Sequence, residues 1–224
     1  MIHKFMNMIN VSKVLGGVVF LTGVVVMFGW IADIPVLTSI LPQWVTMKFS
    51  TALSFTLSGI IIYLVACVCT SSKVSGIVQM ILMSTSFLII LFMVAFLISS
   101  LMGVRTGIED LFIKEAEDAV KSATHGRPSV GTMVSFMLIA FAGIAALIRL
   151  RNVYTALRLF GGVIFVLGIV AILGYIINMP VLYYYLEGLS TAMAFHTAIL
   201  FVFAGTGLYI SGKEYETNKF TDEL

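Results

Sequence analysis

Six runs of mainly apolar residues, each near the roughly 20 residues needed to cross a hydrocarbon core, alternate with polar links along the chain. They cover about residues 13–32, 47–69, 76–101, 130–148, 159–177 and 191–210. The links at about 70–75 and 149–158 are short, which makes the runs they join antiparallel neighbours. Two longer connections, 33–46 and 178–190, carry Pro35 with Pro42 and Pro180 respectively, and the two prolines of the first leave no regular helix expected in it. Their Trp44 and Tyr183 to Tyr185 suit the headgroup region. In the long polar segment 102–129, Thr106 and Glu109 have capping-box spacing, and apolar residues from Ile108 to Ala123 recur at helical spacing. An amphipathic helix is predicted there over 107–124, and its acidic polar face favours packing on the protein's own surface over docking on anionic lipid. The pattern predicts an all-α, polytopic membrane bundle of three helical hairpins in one domain. Their bounds are about 13–70, 75–149 and 158–211, followed by a charged tail, 212–224.

The hairpins share a motif. Met47, Thr51 and Phe55 return as Met193, Thr197 and Phe201, and upstream Gly29 and Pro35 return as Gly174 and Pro180. Glycines 16, 17 and 23 return as 161, 162 and 168 at that same offset. An ordered run of such different residues at nearly constant separation reads as an internal duplication. A weaker third copy opens the fourth span with Thr132 and Phe136, where Pro128 replaces the methionine.

Composition sharpens this picture. The chain is 60 % hydrophobic and 11 % charged, whereas a soluble domain is about 25 % charged. Lys4, Lys13, Lys73, Arg149, Arg151, Arg158, Lys213 and Lys219 all fall on the side of the termini and short turns, and neither proline-containing connection has a Lys or Arg. The positive-inside rule therefore puts both termini in the cytoplasm, with the plasma membrane as the expected location. Basic residues spread in this way leave no patch for nucleic acid. The first run is too long for a signal-peptide core of about 7–15 residues and is expected to remain as a span. Cys67 and Cys69 are too close together for a comfortable bridge and are expected to be free thiols.

Few residues offer chemistry. His196 is an ionisable group within a span, which marks it as a functional candidate. With Lys48, Asp33, Trp44, Tyr184 and Glu187 it is expected to line a pocket beneath the connections that takes a small-molecule ligand. The alternative for Lys48 is an anchor whose amine reaches the membrane surface. Thr51, Thr132 and Thr197 are expected to bond a carbonyl one turn back or a neighbouring helix, and the six duplicated glycines to be packing surfaces. No nucleophile and base, metal-ligand spacing or phosphate loop is present, and His196 has no second intramembrane histidine with which to hold haem. A non-enzyme without metal or other cofactor is expected.

The elements Met-x-x-x-Thr-Ala-x-x-Phe, opening a membrane helix after a Gly-x-x-x-x-x-Pro-x-Leu connection, resemble the multi-pass membrane input regions of some prokaryotic signalling proteins. Those regions precede PAS, histidine-kinase or diguanylate-cyclase modules. The resemblance implies a sensory module; about 14 residues follow Ile210, so the output is expected to pass through a partner. The expected partners are membrane lipid and other membrane proteins or a second copy of the chain. An accessory subunit of a larger membrane complex is the alternative function, and a carrier the third. In a variant with serine at both cysteine positions, Ser190→Cys should react with an impermeant maleimide on intact cells. Ser75→Cys should react only after permeabilisation, and the reverse pattern would invert the topology.

Overall fold

A chain in lipid must satisfy its backbone polar groups internally, and this one does so with helices. The computed structural model describes residues 2–41, 44–71, 73–103, 107–108, 126–150, 152–184 and 191–222. In order these form α1 (Ile2–Ile31), a single turn α2 (Pro35–Thr38), α3 (Phe49–Thr70), α4 (Gly76–Met102), α5 (Val130–Leu147), α6 (Val153–Ile176), a 3-10 turn (Pro180–Leu182) and α7 (Phe195–Asp222). Six of them, α1 and α3 to α7, are long and apolar enough to cross a membrane. The amphipathic helix expected over 107–124 lies, beyond its first two residues, outside the described residues.

Three expectations need correction. The first proline-containing connection is not free of helix, since Pro35 opens α2; in the second, Pro180 opens the 3-10 turn. At a first helical position the missing N–H has no helical partner to lose. The fifth span begins at Val153 instead of about 159, because Val153 and Leu157 are both buried. The last span begins at Phe195 instead of 191, since Met193 donates its N–H to Tyr183 O at 2.8 Å and is held outside the helix. At its other end α7 continues to Asp222, so the charged tail is helical where it is described.

The helices form two layers. In α3, α5 and α7 the most apolar stretch is 61, 61 and 56 % buried, against 28, 33 and 28 % in α1, α4 and α6. Each peripheral helix packs on the inner helix of its own hairpin and on that of a neighbour. Thus α1 lies on α3 and α7, α4 on α5 and α3, and α6 on α7 and α5. The ring closes at the end bearing the chain termini, where Ser12 of α1 donates to Gly207 O of α7 at 2.8 Å and meets the Ser211 hydroxyl at 2.8 Å. The outward faces of the peripheral helices are apolar, as in Ile77, Met80, Met83, Phe87 and Leu91 of α4.

Two hairpins are held by backbone contact. A Cβ added at Gly59 would lie 2.5 Å from Phe20 N and 2.6 Å from Gly16 O, and one at Gly205 would lie 2.6 Å from both Gly161 O and Phe165 N. A Cβ at Gly23 or Gly168 would likewise lie 2.7 Å from Ala52 O or Ala198 O. Lipid gives helices no hydrophobic reason to associate, so this closeness supplies packing that larger side chains would prevent. Gly17 and Gly162, expected to pack likewise, meet nothing within 4 Å. They belong to the outward face.

The connections leaving α1 and α6 also match bond for bond. Each helix ends with a residue in the left-handed region, Asp33 at φ 53° and Asn178 at φ 55°, residue types that tolerate it. The next N–H reaches back to Gly29 O or Gly174 O, both at 2.8 Å, closing a Schellman motif. Trp30 Nε1 then donates to Met47 O at 2.8 Å, and Tyr175 Oη to Met193 O at 2.9 Å. The segment ahead of α3 and the one ahead of α7 are thereby pinned alike.

Gly59→Ala and Gly205→Ala should each destabilise the bundle by about 1–3 kcal/mol through overpacking against backbone. Gly17→Ala and Gly162→Ala should be neutral or stabilising by up to about 1 kcal/mol, from helix propensity alone. Thermal melts of the four variants in one detergent would check the contrast.

Candidate functional site

The shared motif converges on the middle of the bundle. Phe55, Phe136 and Phe201, one from each inner helix, are fully buried and meet in a triangle, with ring centroids 4.8, 4.9 and 5.1 Å apart. Their planes are inclined at 50–69°, in the range where aromatic pairs attract beyond their area burial. One turn back toward the start of each inner helix stand Thr51, Thr132 and Thr197. All three line one small cavity, with Met47, Lys48, Ser129, Met193 and Ala194 among the rest of its wall. The space within it that can take the centre of a water-sized sphere is about 10 Å³, which is room for one water. The phenylalanine triangle lies four residues further along each helix, about 6 Å deeper.

Each threonine is the third residue of its helix: α3 begins at Phe49, α5 at Val130 and α7 at Phe195. Three helix N-termini, each carrying a partial positive charge from its free N–H groups, therefore open at one level around the cavity. Ser129 caps α5 by accepting from Thr132 N at 3.2 Å, and its hydroxyl meets Thr132 Oγ1 at 2.8 Å. Lys48 occupies the corresponding place before α3, without a side-chain cap.

The hydroxyls depart from expectation. The carbonyls one turn back from Thr51 and Thr197 accept from other side chains, Met47 O from Trp30 Nε1 at 2.8 Å and Met193 O from Tyr175 Oη at 2.9 Å. Thr51 and Thr197 are 3 and 2 % exposed, and neither hydroxyl bonds a described residue. They face the cavity instead.

The six expected pocket residues separate. Lys48 is 4 % exposed in the cavity wall, so it is not the surface anchor of the alternative reading. His196, the second residue of α7, does not line the cavity. Both its ring nitrogens are shut off from solvent without a hydrogen bond to a described residue. Trp44 packs on Tyr175 at 5.1 Å and Phe195 at 4.8 Å, bracing the first connection against the third hairpin. Tyr184 is half-buried against the core, Asp33 is exposed, and Glu187 lies outside the described residues.

Arg127 was not singled out from the sequence, where it counted only as one of several charges in a polar segment. It is 2 % exposed and donates from Nη2 to Ser99 Oγ at 2.6 Å, joining the approach to α5 to the end of α4. The available signal was its position directly before Pro128, the first residue of the third motif copy. Among the described residues no three of His, Cys, Asp and Glu gather as a metal site would require, and Cys67 and Cys69 are not joined in a disulfide. Comparison with protein-family models, curated proteins and solved structures finds no match.

Phe136→Ala should cost about 3–5 kcal/mol, as for other fully buried phenylalanines, and Phe136→Leu markedly less. In a double-mutant cycle, Phe55→Leu and Phe136→Leu should couple by about 0.5–1.5 kcal/mol. Strict additivity would show that the rings merely fill space.

Proposed function

We propose that this chain is a non-catalytic sensory module of the plasma membrane, with both termini cytoplasmic, that responds to a small ligand at the axial cavity. The observation that carries this reading is the convergence of all three motif copies on that cavity, directly above the phenylalanine triangle. A solute there touches the first turn of every inner helix at once. It can shift the bundle only by its difference in affinity between two packings, and the triangle is where such packings would differ most directly. Interiors this dense tend to rearrange between discrete arrangements instead of deforming smoothly.

α7 offers the route outward from the cavity. It begins at the wall and continues as one helix of 28 residues, about 40 Å at 1.5 Å per residue. A rotation or slide of its first turn is carried to its far end, where a partner would read it. The proposed duplication fits this scheme, since three equivalent hairpins around one site change together.

Native mass spectrometry of the protein gently extracted from its own membrane should show the chain alone, or as a homo-oligomer, retaining a discrete small ligand. Stoichiometric unlike subunits and no ligand would overturn the sensory reading in favour of an accessory subunit.

A further inference from the structure

We propose that the outward groove between α6 and α7 is a binding site for one acyl chain of a membrane phospholipid. It shares no residue with the axial cavity and does not depend on how that cavity is read. Shape, surroundings and recurrence along the chain carry it.

The groove follows from the glycines. Gly161 faces inward and, with Gly205, brings α6 and α7 into backbone contact. Gly162 turns outward, and a Cβ built there would meet nothing within 4 Å. Close packing of the hairpin has no use for it, although glycine is, after proline, the least favourable residue in a helix interior. Beside it lies a cavity of about 350 Å³, lined by Gly162, Phe165, Val166, Gly205, Thr206 and Tyr209. Its wall is hydrocarbon and aromatic ring almost throughout. The Thr206 hydroxyl is already committed to Val202 O at 2.7 Å, which leaves a surface suited to an apolar ligand.

The lining belongs to two membrane spans, Val153–Ile176 and Phe195–Lys213, so the groove opens to lipid. A partner helix is about 10 Å across. Lying over the aromatic walls, it would leave the space beneath them empty, and the lining would lose those contacts. An acyl chain is one methylene wide and fills it. Charge places the other end of the lipid. One turn from Gly162 toward the chain termini stands Arg158, whose guanidinium lies over the Tyr209 ring at 5.5 Å. The first hairpin has Lys13 at the matching place. A lipid phosphate at that level meets a basic position in both hairpins.

The lining recurs as well. Phe165, Val166, Gly205 and Tyr209 are answered by Phe20, Leu21, Gly59 and Tyr63. Gly17 opens outward like Gly162, and Leu21 and Tyr63 are exposed like Val166 and Tyr209. Helix contact does not explain an open glycine that returns with the same exposed neighbours; a ligand outside the bundle does.

The test uses the full chain. After repeated washing in mild detergent, native mass spectrometry should show retained phospholipid, and Gly162→Leu, which fills the groove, should lower the retained number by one per chain. Val163→Leu, at an exposed position off the groove, should leave it unchanged. Equal retention in all three proteins, or equal loss in both variants, overturns the site. So does a dimer that Gly162→Leu converts to monomer, which would give the groove to a second copy. Should Gly162→Leu fail to fold, the unaltered protein decides, in vesicles of phosphatidylethanolamine and phosphatidylglycerol with a trace of phosphatidylglycerol bearing a diazirine in one acyl chain. Light should attach that chain to residues 162–166 and 205–209 severalfold more than to the outward face of α4. Even labelling of both overturns the proposal. A phospholipid is far too large for the axial cavity, so a small solute retained without phospholipid removes the groove site and leaves the sensory reading standing.

Discussion

The whole architecture depends on how closely α1 approaches α3 and α6 approaches α7. In lipid the interior of a bundle is no more apolar than its surroundings, so helices gain by intimate contact or not at all. Gly16 with Gly59, and Gly161 with Gly205, bring backbone against backbone until no Cβ fits between. That closeness fixes each peripheral helix on its inner partner, and the Schellman turns at Asp33 and Asn178 then set where the connection re-enters. Because Trp30 and Tyr175 tie down the residues just ahead of α3 and α7, these two inner helices start at matched depth. Ser129 provides the start of α5 by capping. The common level of three N-termini is thus a consequence of packing in the periphery, transmitted inward.

Much of this was legible in the sequence, and for a physical reason. A membrane imposes length and apolarity on every span, so six apolar runs map onto six helices with few alternatives. Likewise the recurrence of Met47, Thr51 and Phe55 as Met193, Thr197 and Phe201 marked positions that meet in space. What the pattern lacked was direction around each helix. Gly17 and Gly162 repeat as faithfully as Gly16 and Gly161 but face outward, and one-dimensional spacing does not separate the two sets until a neighbour is placed. The anchor alternative for Lys48 fails, and Arg127 was passed over, for a related reason: hydropathy treats a charge beside a span as solvated, whereas both are buried. Conversely, α7 runs past its apolar stretch to Asp222, since a helix already formed extends at little cost into residues that merely tolerate it.

The division between the two layers explains where function can reside. The peripheral helices expose Ile, Leu, Met and Phe, as a lipid-facing surface should. The terminal end of the bundle is closed by the Ser12, Gly207 and Ser211 contacts, and its middle by the phenylalanine triangle. Among the described residues, the threonine-lined cavity brings the hydroxyls of Thr51 and Thr197 and the Ser129–Thr132 pair to one small space.

That cavity has matching threonines but unlike neighbours beside them. Thr51, Thr132 and Thr197 are alike, yet the wall positions three residues before them are Lys48, Ser129 and Ala194. Had the site served only to pack three hairpins together, three small residues would have sufficed, and Ala194 shows that a small residue fits in one of them. A lysine, a capping serine and an alanine around the same threonine ring give the cavity a preferred side. An asymmetry of this kind fits the proposed recognition site and is more than a seam between three equal hairpins requires.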